Sequence, residues 1–151
     1  MSTTIRPINA SDEQAWRALF SAYGVFYETA FDDHTLAGVF SWLMDENHPE
    51  QCFVAESDGV VVGFAHLQRQ VDTFTAGPGW FLDDLFVDPD HRGRGIARAL
   101  ISHLSNYATS HGGGTLRWIT AADNHTAQGL YNQIATKTSW VMYESETGSG
   151  S

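Results

Sequence analysis

The chain has 151 residues, 42% of them hydrophobic, a single cysteine and a formal charge of −10. A chain of this length can bury roughly two-thirds of its unfolded surface in one domain, so no metal or disulfide is needed to hold a core. The acidity argues against nucleic acid as a partner, because such binding depends on lysines and arginines displacing counterions from phosphates.

Cys52 cannot form an internal bridge, and its isolation points to a reducing, cytoplasmic setting. No run reaches the about 18 apolar residues of a membrane span, and "MSTTIRPINASDEQ" lacks the apolar core of a signal peptide. Neither membrane nor export is therefore expected. Between Arg17 and Arg69 there is no lysine or arginine, while Glu28, Asp32, Asp33, Asp45, Glu46, Glu50, Glu56 and Asp58 fall in that interval. Such a surface either attracts a cation or is simply solvated.

In chain order, residues 3–8 read as a short strand, followed by "NASDEQ", where Ser11 is placed to cap a helix with Asp12 and Glu13 in its first turn. That helix is predicted to run to about Tyr23 and to be broken by Gly24. After the aromatic stretch "VFYETAFDD", Leu36, Val39, Phe40 and Leu43 recur at helical spacing until Asn47, His48 and Pro49 end the pattern. "QCFVAE" and "VVVGFAHLQRQV" read as strands joined by a hairpin turn at Ser57, Asp58 and Gly59.

"WFLDDLFVD", residues 80–88, is apolar on both alternating faces except at Asp83 and Asp84, the pattern of a central strand covered on both sides. A helix from Gly93 to about Ser110 buries Ile96, Leu100, Leu104, Tyr107 and Ala108. "TLRWIT" reads as a strand. Asp123 or Asn124 then caps a helix with Ala127, Leu130, Tyr131 and Ile134 on one face, and "TSWVMYE" closes as a strand. The expected fold is a mixed α/β sheet with antiparallel N-terminal strands and a β-α-β crossover. One domain over 1–145 is expected, with 146–151 as a flexible tail.

"DPDHRGRGIA" carries the clearest chemical signal. A strand running into a glycine-bearing helix start leaves backbone N–H groups unpaired at the positive end of the helix dipole, which suits an anion. It lacks the Gly-Lys-Ser/Thr of a P-loop and the spacing of a dinucleotide fingerprint.

Arg92-Gly93-Arg94-Gly95-Ile96-Ala97 resembles the Arg/Gln-x-x-Gly-x-Gly/Ala signature of the GCN5-related (GNAT) N-acetyltransferases, and "NHTAQGLY", Asn124 to Tyr131, resembles the Asn-x-x-Ala-x-x-Leu-Tyr element of the same family. The resemblance implies a GNAT fold and acetyl-CoA as cofactor. It implies that backbone from Arg92 to Ala97 holds the pyrophosphate. It also implies that Leu85, Phe86 and Val87 run beside the acetyl and pantetheine groups, and that Tyr131 protonates the departing sulfur.

The usual Gly-Phe after the tyrosine helix is replaced by "YNQIATKTSWVMYE". In this the chain resembles a branch containing histone, polyamine and small-amine acetyltransferases, D-amino-acid acetyltransferases among them. A homodimer is compatible with the family, with "SWVMYE" as a strand that could pair between subunits.

Acetyl transfer to an amine needs a neutral nitrogen, a polarised thioester carbonyl and a proton for the leaving thiolate. The resemblance assigns such duties to acids in the central strand: Asp83 as the base, acting through water, and Asp84 as a hold on a cationic acceptor. Adjacent strand residues point to opposite faces unless a bulge intervenes, and the structural alternative is an ion pair with Arg69 or Arg117. Asn124 is either a cofactor contact or only a helix cap. Tyr23, Phe26, Tyr27 and Glu28 fall where the family lines its acceptor site, with simple packing as the alternative.

The seven histidines show no metal-ligand spacing. The five tryptophans read mostly as packing residues. The function expected is direct acetyl transfer from acetyl-CoA to the primary amine of a small cationic acceptor, of polyamine or amino-acid type. The alternatives are a catalytically silent acyl-CoA-binding module and a protein or histone-tail acetyltransferase.

Overall fold

In the computed structural model, which describes residues 2–148, the strands join in one sheet of order β1-β2-β3-β4-β5. They are β1 (Thr3–Pro7), β2 (Glu50–Ser57), β3 (Val60–Asp72), β4 (Gly77–Val87) and β5 (Leu116–Arg117). The first four pair antiparallel, and β5 lies parallel to β4 after a helical crossover, as the sequence pattern predicts. Asp58 and Gly59, at φ of 52° and 80°, turn β2 into β3. Two left-handed residues in succession match the twist of the flanking strands.

Helix α1 (Glu13–Phe26) is entered through a 3-10 turn at Ala10–Asp12. The cap is Asn9 rather than Ser11: its side chain accepts from the Ser11 N–H at 3.0 Å, while Asp12 Oδ2 accepts from the Asn9 N–H at 2.9 Å. Arg6 on β1 closes on the same carboxylate with two hydrogen bonds of 2.8 and 2.9 Å. The guanidinium holds Asp12 below the usual carboxylate range despite its burial.

Gly24 does not break α1, which continues to Phe26. A Cβ at Gly24 would lie 2.7 Å from the Phe31 ring and 2.9 Å from the Thr29 carbonyl. The glycine therefore serves a close approach: the segment after α1 folds back onto the helix, with the Thr29 N–H donating to the Gly24 carbonyl at 2.8 Å. Helix α2 (Asp33–Leu43) follows, capped by Asp32, whose side chain accepts from the Thr35 N–H at 2.8 Å.

One sheet face is covered by α1 and α2, where Trp16, Leu19, Phe20, Leu36 and Phe40 pack on Cys52, Val54, Phe64 and Phe86. Helix α3 (Ile96–Ser110) buries Ile96, Leu100, Ile101, Leu104 and Ala108, and its His103 and Tyr107 pack at steep angles against Phe53 of β2, with ring centroids 5.0 and 5.1 Å apart. It begins three residues later than predicted, because the glycine turn stays outside the helix. Of the tryptophans only Trp16 and Trp80 are fully buried, and Trp42 and Trp140 are exposed, so packing accounts for fewer of them than expected.

The predicted "TLRWIT" strand contracts to Leu116–Arg117, paired with Trp80 and Phe81. Its ladder ends just before β4 changes course at a bulge.

The chain divides into two units, the first ending at Ile119. In the second, α4 (His125–Ile134) is capped by Asn124, whose side chain accepts from the Ala127 N–H at 3.2 Å. Its half-buried residues include Ala127, Leu130, Tyr131 and Ile134, the face predicted. The predicted closing strand does not form: residues 138–144 have no ladder among the described residues, and Trp140, Val141, Met142 and Tyr143 are exposed. β-propensity alone cannot make a strand without a neighbour to satisfy its backbone groups. Of the expected tail, 146–148 are irregular and exposed, and 149–151 lie outside the described residues.

Candidate active site

At the end of β4, a 3-10 turn at Pro89–His91 leads into the glycine turn. Gly93 and Gly95 have φ of 78° and 77°, a region that side chains with a Cβ avoid, and open space surrounds both Cβ positions. Gly95 is the cap residue of α3 and has no side chain to satisfy the first-turn N–H groups, while buried Ile96 anchors the turn from below. Ala97 is half-buried and Arg94 exposed.

Arg92 is turned back toward the fold. Its Nε donates to the Val87 carbonyl at 3.1 Å, and its guanidinium lies 5.3 Å from the centre of the Phe86 ring. Beside this turn β4 keeps its ladder with β3 as far as Val87, but its pairing with β5 stops at Phe81. One edge of β4 through Leu85, Phe86 and Val87 thus has no partner strand among the described residues. An unpaired strand edge next to an uncapped helix start offers N–H donors to an elongated, anionic ligand.

The acids of β4 depart from simple alternation. In the β3–β4 ladder His66 faces Asp84 and Leu67 faces Leu82, so Asp83 is the extra residue of a bulge. Asp84 meets His66 and Tyr23, and Asp83 meets Glu50, so both carboxylates serve the face covered by α1 and α2. Neither expected arginine partner is used: the partner of Asp84 is His66, at 2.8 Å from Nδ1 to Oδ2, and Arg69 instead lies over Trp80.

Glu50, at the start of β2, is 9% exposed and accepts from Gln68 Nε2 at 3.4 Å. Loss of water and the neighbouring Asp83 carboxyl push it up to about 8. Asp83 is raised too, by withdrawal from water and by the charge of Asp84, while its interaction with Glu50 works against the rise. A hydrogen bond between two carboxyls requires one proton shared between them.

Tyr23 is half-buried at the edge of this group, 5.0 Å from Tyr27 and 6.2 Å from Phe86 between ring centres. Burial, and then its contact with Asp84, raise its phenol above the ordinary value. Phe26 and Tyr27 are exposed but lie edge-on to one another at 5.1 Å, and Glu28 lies exposed in the turn after α1 at φ of 59°. In the second unit Asn124 acts as a helix cap and Tyr131 is half-buried on α4.

The residues that sequence reasoning passed over are Glu50, His66 and Trp16. A histidine inside the apolar run "VVVGFAHLQ" was a usable signal, because pairing with the next strand can set it opposite an aspartate. Nothing in the local sequence marks Glu50.

A mixed sheet opened at one edge of β4, beside a glycine turn, is the framework of a domain that transfers an acyl group from a long anionic carrier. A family model described as "Acetyltransferase (GNAT) family" matches residues 13–135. Among curated proteins, a D-amino-acid N-acetyltransferase of Saccharomyces cerevisiae is 29% identical over 143 residues, covering 93% of this chain and 88% of its own. An uncharacterized N-acetyltransferase of Bacillus subtilis is 33% identical over 146 residues, covering 95% and 91%. Among solved structures, an aminoglycoside N-acetyltransferase in complex with CoA superposes with a TM-score of 0.82 at 26% identity, covering 97% of this chain and 96% of that one.

The chain belongs to the GNAT family of acetyltransferases, enzymes that use acetyl-CoA. Its class of activity is N-acetyl transfer.

Proposed function

We propose that residues 1–145 act as one domain that transfers acetyl from acetyl-CoA directly to the primary amine of a small, cationic acceptor of polyamine or amino-acid type. The observation that carries the reading is the bulge at Asp83, which turns two adjacent carboxylates to one face beside Tyr23 and Glu50. Acids beside exposed aromatic rings suit an ammonium group with apolar parts.

The residues present fit the cofactor. The first-turn N–H groups of α3 have no capping side chain, and open space surrounds Gly93 and Gly95. Backbone from Arg92 to Ala97 would hold the pyrophosphate, and Asn124 is a further candidate contact. Acetyl-CoA supplies the activated thioester. The edge of β4 at Leu85, Phe86 and Val87 would aim N–H donors at its carbonyl oxygen.

Asp83 takes the ammonium proton through water, Asp84 holds the acceptor's positive charge, and Tyr23, Phe26, Tyr27 and Glu28 line its approach. Tyr131 gives its phenolic proton to the leaving thiolate. Transfer without a cysteine intermediate is supported by Cys52, which is 3% exposed and whose thiol is raised by burial.

The test is CoA release over a panel of amines with wild type, Tyr131→Phe and Asp83→Asn. Turnover on small amines, with both variants reduced by roughly 100-fold or more in kcat, is expected. Full activity of Tyr131→Phe would remove the tyrosine from the mechanism. Tight acetyl-CoA binding without turnover would favour a silent binding module, and activity on peptides alone would favour a protein acceptor.

A further inference from the structure

A histidine of β3 is sealed among the aromatic rings of the core. His66 is 1% exposed, with the Trp16, Phe20 and Phe64 rings at 5.9, 4.9 and 4.7 Å between centres. Both of its ring nitrogens are engaged: Trp16 Nε1 lies 2.9 Å from Nε2, and Asp84 Oδ2 lies 2.8 Å from Nδ1.

The order of these contacts dictates the position of the proton. An indole N–H can only donate, so Nε2 must offer a lone pair and the ring is the neutral tautomer with its hydrogen on Nδ1. That hydrogen can go only to Asp84. Trp16, itself fully buried against Phe20 and Phe40, thereby sets the direction of the whole chain of hydrogen bonds.

Apolar residues could fill this space without the cost of burying three polar groups, so the arrangement needs a reason beyond packing. Asp84 supplies one. It sits at a bulge, where the backbone alone does not fix a short side chain, and its side chain is 24% exposed. His66 holds one oxygen from the buried side, and Tyr23 lies near enough to feel the charge of the same carboxylate.

We propose that His66, with its tautomer set by Trp16, is a positioning residue that aims the Asp84 carboxylate at the acceptor's ammonium group. The proposal rests on the reading of Asp84 as the acceptor's anchor, and it makes acceptor affinity depend on a residue sealed from the acceptor. The role is one of orientation, like that of the outer partners that fix a ligating side chain.

The test uses His66→Leu, which deletes both hydrogen bonds, His66→Gln, whose amide can accept from Trp16 and donate to Asp84, and Trp16→Phe, which keeps an aromatic ring but removes the donor. Spermidine, 1,4-diaminobutane and lysine serve as probe amines.

For His66→Leu, KM for the amine should rise roughly tenfold, with kcat at saturation and KM for acetyl-CoA within about twofold of wild type. His66→Gln should recover most of the loss, and Trp16→Phe should raise KM in the same direction by a smaller factor. In wild type, long-range nitrogen–proton NMR spectra should show the hydrogen on Nδ1, and Trp16→Phe should release that preference.

Equal effects of Leu and Gln, or a fall in kcat with KM unchanged, would overturn the proposal, as would hydrogen on Nε2 in the wild-type spectrum. If His66→Leu does not fold, Trp16→Phe and the spectrum decide. If no probe amine is acetylated, the anchor reading fails, whereas a wrong tautomer refutes the relay even in an active enzyme.

Discussion

Glu50→Gln should stabilise the protein at alkaline pH, against the usual outcome of changing a buried polar residue. In the folded chain the Glu50 carboxyl is displaced from 4.5 to about 8 by loss of water and by its hydrogen bond to Asp83. Because the folded state holds a proton that the unfolded chain releases, stability falls as pH rises from near 4.5 toward 8 and levels above it. At about 1.4 kcal/mol per unit of displacement, the full excursion is on the order of 5 kcal/mol.

Glutamine fits the same place, since its oxygen can accept from Gln68 and its amide can donate to Asp83. Urea unfolding of wild type and Glu50→Gln at pH 5 and pH 8.5 isolates the Glu50–Asp83 pair, because titrating groups outside it cancel in the difference. The variant should match wild type within about 1 kcal/mol at pH 5 and exceed it by about 2–4 kcal/mol at pH 8.5. A difference that does not change between the two pH values would refute the argument. So would a variant less stable than wild type at pH 8.5.

Asp12→Ala should cost roughly 2–4 kcal/mol, since it strips the bidentate partner from Arg6 and the cap from Asn9 together. Because Asp12 is held below its ordinary value, wild type should lose that stability as pH falls below about 4, and the variant should lack this acid limb in a chemical-denaturation series. Gly95→Ala meets no atom but must hold a left-handed φ, so a loss of roughly 1–2 kcal/mol is expected. If the α3 N–H groups hold phosphate, the same variant should raise KM for acetyl-CoA, and an unchanged Tm and KM would contradict both statements.

Much of the fold was readable because the signals were local. The Asp58-Gly59 hairpin, the apolar periodicity of α2 and α3, and the crossover from β4 into a glycine turn all follow from short-range spacing. Errors fell where a distant contact overrode local preference. Gly24 reads as a helix breaker until Phe31 is seen lying against it. "SWVMYE" has strand composition but no strand beside it. Asn9 displaced Ser11 as cap because Asp12 and Arg6 completed the reciprocal arrangement.

The candidate site divides in the same way. The two motifs, Arg92 to Ala97 and Asn124 to Tyr131, are contiguous, and their chemistry lies in backbone donors and one phenol that can be read in order along the chain. The acid group is not contiguous. Glu50, His66, Asp83 and Asp84 come from three strands, and Trp16 and Tyr23 from a helix.

The sequence by itself determined the family, the order of strands and helices as far as α4, and a glycine turn suited to an anion, because each depends on residues within a few positions of one another. Only the tertiary structure decided that Asp83 and Asp84 turn to the same face, that Glu50 lies beside one and that His66 hydrogen-bonds the other. Those outcomes depend on strand register and on a single extra residue in β4, and a shift of one residue in register sends a side chain to the opposite face.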